Sequence, residues 1–135
     1  MADDGFLHRA IHLSASHLEE PDPSWVRSYV DLLPAPHLVV RPVAPAAVCE
    51  RRVVERGVWP HSRRLSRAEI ADYVRNAEQA GALAVERGRE RGWTIVEIEN
   101  GERALDAVTR DLEVAVVSFL SSLQAEERSA EGSPA

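Results

Sequence analysis

Apolar positions recur at helical spacing along most of this chain and run without interruption in two short places. Phe6, Ala10, Ile11 and Leu18 fall near one face of a helix within 5–20, and Asp3 and Asp4 stand at its start, where the helix dipole favours acids. Asp22-Pro23 supplies an N-cap and a proline at the first helical position for a second helix through Leu33, carrying Trp25, Val26, Tyr29 and Val30. Pro34 stops it. Residues 37–43, with three valines between prolines, form a continuous apolar run that suits a strand covered on both faces. A third helix starts at Pro45 and ends at Gly57. Ser66-Arg-Ala-Glu69 is a capping box, opening a long helix with an apolar stripe (Ile70, Tyr73, Val74, Ala77, Leu83, Ala84) that stops at Gly92. Residues 93–98 (Trp-Thr-Ile-Val-Glu-Ile) read as a second strand, and Asn100-Gly101 as a turn. A last helix, 102–124, carries Leu105, Val108, Leu112, Ala115, Val116, Phe119 and Leu123, and a polar tail, 125–135, is expected to be disordered.

The order of elements predicts an α/β domain over 1–124, with two parallel strands joined by helical crossovers and about five helices. Two parallel strands are too few to stand alone, because such sheets are normally several strands wide and buried on both faces. The chain therefore reads as part of a larger sheet.

Composition narrows the chemistry. The 135 residues carry a formal net charge of −6, which argues against a general electrostatic footprint for nucleic acid or an anionic membrane. All 16 basic residues are arginine, so Schiff-base and phosphate-loop lysines are excluded. A single cysteine, Cys49, forbids an internal disulfide and reads as a small buried hydrophobe; with no secretory signal and no long apolar run, the expected compartment is the cytoplasm. His8 and His12 stand four apart, but His17 is off their register and no Cys or further His completes a metal set.

Arg52 and Arg56 also stand four apart, on one helix face, at a spacing suited to gripping a phosphate chain; Arg63 and Arg64 follow in the loop 57–65. The other reading of Arg52 and Arg56 is a solvated face paired with Glu50 or Glu55. Taken with the order of elements, Arg52-Val-Val-Glu-Arg56-Gly57, the arginine-bearing loop after it, the long helix, the strand 93–98 and the terminal helix resemble the C-terminal half of a P-loop kinase of the nucleoside and nucleotide kinase group, thymidylate kinase-like proteins included. Asp3-Asp4-Gly5-Phe6-Leu7-His8-Arg9-Ala10 is similar to that group's acidic motif at the end of its third strand.

The resemblance implies a three-layer fold and, by descent, ATP- and Mg-dependent phosphoryl transfer to a nucleoside, a nucleoside monophosphate or another small acceptor. It implies that Arg52 and Arg56 neutralise the transferring phosphoryl group, that Arg63 and Arg64 close over the donor nucleotide as a lid, and that Asp4 or Asp3 sits near the acceptor or the magnesium ion, the metal role falling to Asp3. The chain departs from the group in lacking Gly-x-x-x-x-Gly-Lys-Ser/Thr, so it is expected to be inactive alone and to need a missing N-terminal half. A different class of function also fits: a non-catalytic interaction module whose open strand edge is completed by another chain or by self-association.

Overall fold

The computed structural model describes residues 6–15, 19–56 and 65–131. It is mostly helical, with one small parallel sheet, and is broadly α/β. The elements in chain order are α1 (Phe6–Ala15), α2 (Pro23–Leu32), β1 (Val39–Val43), α3 (Ala46–Arg56), α4 (Arg67–Glu90), β2 (Ile95–Glu99) and α5 (Leu105–Glu131).

The local signals in the sequence act as their chemistry dictates. Asp22 Oδ1 accepts from the backbone N–H groups of Ser24 (2.8 Å) and Trp25 (3.4 Å), satisfying donors that the first turn of α2 leaves open. At the start of α4, Ser66 Oγ accepts from the Glu69 N–H while the Glu69 carboxylate accepts from the Ser66 N–H, a complete capping box. That backbone N–H, followed by the Ser66 side chain, holds the Glu69 carboxyl below its ordinary range. Gly92 follows α4 with φ +78°, a conformation that costs a side-chain-bearing residue strain and glycine little.

The two strands pair in parallel, Val39 with Ile95 through Val43 with Glu99. Both are shorter at their N-terminal ends than the apolar runs 37–43 and 93–98 suggest. Trp93 leaves the ladder to join the core, and its backbone N–H donates to the Gly88 carbonyl at the end of α4 (3.0 Å). The core brings together Val26 and Val30 of α2, Ala80 and Ala84 of α4, and Trp93, with Val39 and Ile95 packed against them. The alanines and Gly88 keep α4 thin where it meets the sheet, so an added methyl at Gly88 would stand 2.8 Å from Trp93 Cε3.

Arg91 finishes this corner. It lies over the Trp93 ring, 4.9 Å from its centroid, and its Nη1 donates to the carbonyls of Val30 and of Leu33 (3.1 Å). One guanidinium therefore satisfies carbonyls at the end of α2 while covering an indole face. On the same side of the sheet Arg41 and Glu97 pair at 2.7 Å, and Arg89 reaches Glu97 from α4 at 3.0 Å. The Arg89 bond is the leading cause that lowers the Glu97 carboxyl pKa, with Arg41 adding to it.

α5 departs from expectation. It does not stop at Gln124 but continues to Glu131, through a segment whose Ala, Glu and Arg residues have good intrinsic helix propensity despite lacking an apolar stripe. Leu105, Val114 and Val117 on it are largely exposed.

Candidate functional site

In open α/β sheets, ligands collect at the carboxyl ends of the strands. Here that edge is formed by Ala44-Pro45 after β1 and Asn100-Gly101 after β2. Pro45 accepts from the N–H groups of Val48 (2.9 Å) and Cys49 (3.1 Å) and so launches α3 immediately beyond β1. Two turns later Arg52 points back to the strand ends, Nη1 donating to the Asn100 carbonyl (2.8 Å) and Nη2 to the Gly101 carbonyl (2.6 Å). The turn is held from within as well: the Asn100 N–H donates to Val43 O (2.7 Å) and the Gly101 N–H to Glu99 Oε1 (2.7 Å).

The two arginines paired in the sequence thus have different situations. Arg52 is half-buried and ties α3 to the β2–α5 turn, so two of its donors are already used. Arg56, one turn further along, is exposed and has no hydrogen-bond or ion-pair partner among the described residues. Neither pairs with Glu50 or Glu55. Arg51 instead takes Glu102 at 2.8 Å, with Glu55 at 3.9 Å, and the Glu102 bond leads in raising the Arg51 pKa. Arg103 pairs with Asp111 at 2.6 Å and lies 3.7 Å from Glu99.

Asp3, Asp4, Arg63 and Arg64 lie outside the described residues, as do Trp59, His17 and all of the expected lid except Leu65. His12 Nδ1 and the Tyr73 hydroxyl share a hydrogen bond of 3.0 Å, which joins α1 to α4. Burial raises the Tyr73 phenol above its ordinary pKa. Among the described residues no group of three His, Cys, Asp or Glu side chains is placed to hold a metal ion.

Along β1 runs an open groove of about 1180 Å³. Its walls come from Leu7 and Ile11 of α1, Leu33 after α2, Cys49 and Val53 of α3, and Tyr73 of α4. Cys49 is half-buried on this wall rather than enclosed in the core; its thiol faces the Ala44 carbonyl at 3.8 Å. Among the described residues, the strand that borders the groove pairs along one edge only. Val39 N–H donates to Thr94 O at one end of the ladder and Val43 O accepts from Asn100 N–H at the other. Val39, Arg41 and Val43 therefore turn their main-chain groups to β2, and Val40 and Pro42 turn theirs away. Pro42 has no N–H to offer, as is usual at an edge.

Two features escaped the sequence reading. The Arg52 bonds are to main-chain carbonyls, which no residue pattern announces. On the second helix, whose Val26 and Val30 are buried, Trp25 is 41% and Leu32 84% exposed. Their i, i+7 spacing beside the buried pair Val26 and Val30 was the available signal.

No protein-family model, curated protein or solved structure matches this chain.

Proposed function

We propose that the chain is the C-terminal portion of an ATP-dependent, kinase-like P-loop protein, and that its part in the site is to present a guanidinium to the nucleotide's phosphates at the carboxyl edge of the sheet. The observation that carries this reading is the division between Arg52 and Arg56. Arg52 anchors α3 at the strand ends through the Asn100 and Gly101 carbonyls, and Arg56 extends one turn beyond it with no partner among the described residues. The parallel pairing of β1 and β2, with α3 and α4 between them in sequence, agrees with this reading. Phosphoryl transfer leaves little covalent work to the protein and depends on electrostatic stabilisation. A site without the phosphate loop and its lysine has lost most of those donors, and removing even one costs about 10²–10³ in rate. The chain alone binds nucleotide weakly and transfers nothing.

Equilibrium dialysis with ATP and Mg²⁺ tests it. Binding is expected in the millimolar range, on the order of −4 kcal/mol, and is expected to disappear in Arg56→Ala with the circular dichroism spectrum unchanged. Binding that survives Arg56→Ala, or no binding at all by the folded chain, would refute the reading.

A further inference from the structure

α5 is apolar on more than one side. Val108, Ala115, Val116 and Phe119 are half-buried, while Val114, Val117 and Leu120 lie on another side of the helix and are 60%, 61% and 52% exposed. The residues around Val117 then repeat in reverse. Steps of three, four, seven and eleven residues return a helix to nearly the same side. Three away from Val117 in either direction stand Val114 and Leu120, four away Glu113 and Ser121, seven away Arg110 and Gln124, and eleven away Asp106 and Arg128. All of them are exposed. Asp106, Arg110, Glu113 and Arg128 have no hydrogen-bond or ion-pair partner among the described residues, whereas Asp111 of the same helix is held by Arg103 at 2.6 Å.

This face is its own complement when inverted. A second α5 laid antiparallel on the first, with a two-fold axis at Val117, sets Val117 on Val117 and Val114 on Leu120. It also brings Glu113 to the Ser121 hydroxyl, Arg110 to the Gln124 side-chain carbonyl and Asp106 to the Arg128 guanidinium. Symmetry makes each of these last contacts twice. A parallel pair would instead set Asp106 on Asp106, Arg110 on Arg110, Glu113 on Glu113 and Arg128 on Arg128, every one a repulsion. The order of charges therefore selects both the occupant and its direction.

We infer that two copies of the chain associate through α5, antiparallel, about a two-fold axis at Val117. Side chains at steps of three and four interleave at a shallow crossing of about 20°, which keeps two helices together along their length. From Asp106 to Arg128 the contact runs about 33 Å. A stripe a third of the way round a helix roughly 10–12 Å across removes about 500 Å² of that length from water on each copy. The total of about 1,000 Å² lies where specific interfaces begin, so the dimer is weak and reversible, with a dissociation constant on the order of 100 µM. It rests on no part of the nucleotide reading, because neither Arg52 nor Arg56 belongs to this face.

Sedimentation velocity of the intact chain from a few micromolar to several hundred micromolar is the experiment, with circular dichroism to confirm the fold of each variant. A monomer–dimer shift is expected. Asp106→Arg and Arg128→Asp each bring like charges together twice, and each is expected to weaken the dimer by about tenfold or more. Mixed in equal amounts, these two variants form a pair in which both contacts are attractive again, and the dimer is expected to return. Val117→Glu, at an exposed position on the axis, is expected to stay monomeric throughout, and Leu32→Glu, exposed on α2, to dimerise as the parent does. A parent chain that stays monomeric, a dimer that survives Val117→Glu or is lost in Leu32→Glu, single charge variants that dimerise as well as the parent, or a mixture of them that associates no better than either alone each overturns the proposal. If Val117→Glu lowers the helix content, Val117→Asn takes its place with the same expected result.

Discussion

Replacing Arg52 by alanine separates an anchoring arginine from a phosphate-binding one. The change removes two charge-assisted hydrogen bonds, at 2.8 and 2.6 Å, from α3 to the carbonyls of Asn100 and Gly101. Hydrogen bonds from charged donors contribute roughly 1.5–3 kcal/mol each. Arg52 is only half-buried, so water can reach the vacated carbonyls, and their full desolvation cost is not incurred. The turn also keeps its other ties, Asn100 N–H to Val43 O and Gly101 N–H to Glu99 Oε1. The expected loss is therefore about 2 kcal/mol, which for a chain of this size lowers the melting temperature by roughly 5–10 °C. Arg56→Ala removes no contact among the described residues and is expected to change stability by less than about 0.5 kcal/mol. Urea titration followed by circular dichroism measures both. An Arg52→Ala variant as stable as the parent, within about 0.5 kcal/mol, would show that the bonds to the turn carry no weight and that the two arginines are not divided as described.

Gly92→Ala is a purely conformational test, because no atom within 4 Å would meet the added methyl at φ +78°; it is expected to cost about 1–2 kcal/mol in the same titration. On the acid side, the carboxyls of Asp31, Glu90 and Glu97 are all held below their ordinary values, Arg87 acting first on Asp31 and Glu90 and Arg89 first on Glu97. Because the folded state lowers these pKa values, their contribution is present above the ordinary carboxylate range and lost as pH falls through and below about 4.5. Melting temperature against pH should fall there, and the fall should be shallower in Arg87→Ala and at high salt; a profile indifferent to both would remove these pairs from any account of stability.

What the sequence disclosed was the part of the fold governed by neighbours along the chain. Asp22-Pro23, Ser66 with Glu69 and Gly92 act within one turn of themselves, so their residue types suffice to locate α2, the start of α4 and its end. The strands were legible from their valines and isoleucines, but their first residues were not. Whether Trp93 joins the ladder or the core depends on Gly88, Val26 and Val30, which no local pattern brings together. The site divided in the same way. That Arg52 and Arg56 share a face follows from 3.6 residues per turn. That one of them is occupied follows from where the β2–α5 turn comes to rest, 48 residues later for Asn100. The end of α5 was misplaced because the polar residues beyond Gln124 give no apolar periodicity, although all but Ser129 are good helix formers.

The pair of Arg41 and Gly81 constrains which sequences can share this fold. The Arg41 side chain reaches Glu97 by lying across α4 where residue 81 has no side chain; a methyl group there would stand 2.8 Å from Arg41 Nη2. A methyl group at position 81 requires the Arg41 guanidinium, the far end of a flexible side chain, to shift, and larger bulk there would take Arg41 away from Glu97 and leave Arg89 as that carboxylate's partner. In any set of related chains positions 81 and 41 should change together, with large residues at 81 accompanied by short ones at 41. The sheet and α4 would in that case be held by the Arg89–Glu97 pair and by apolar packing alone, without the guanidinium that now lies across the helix.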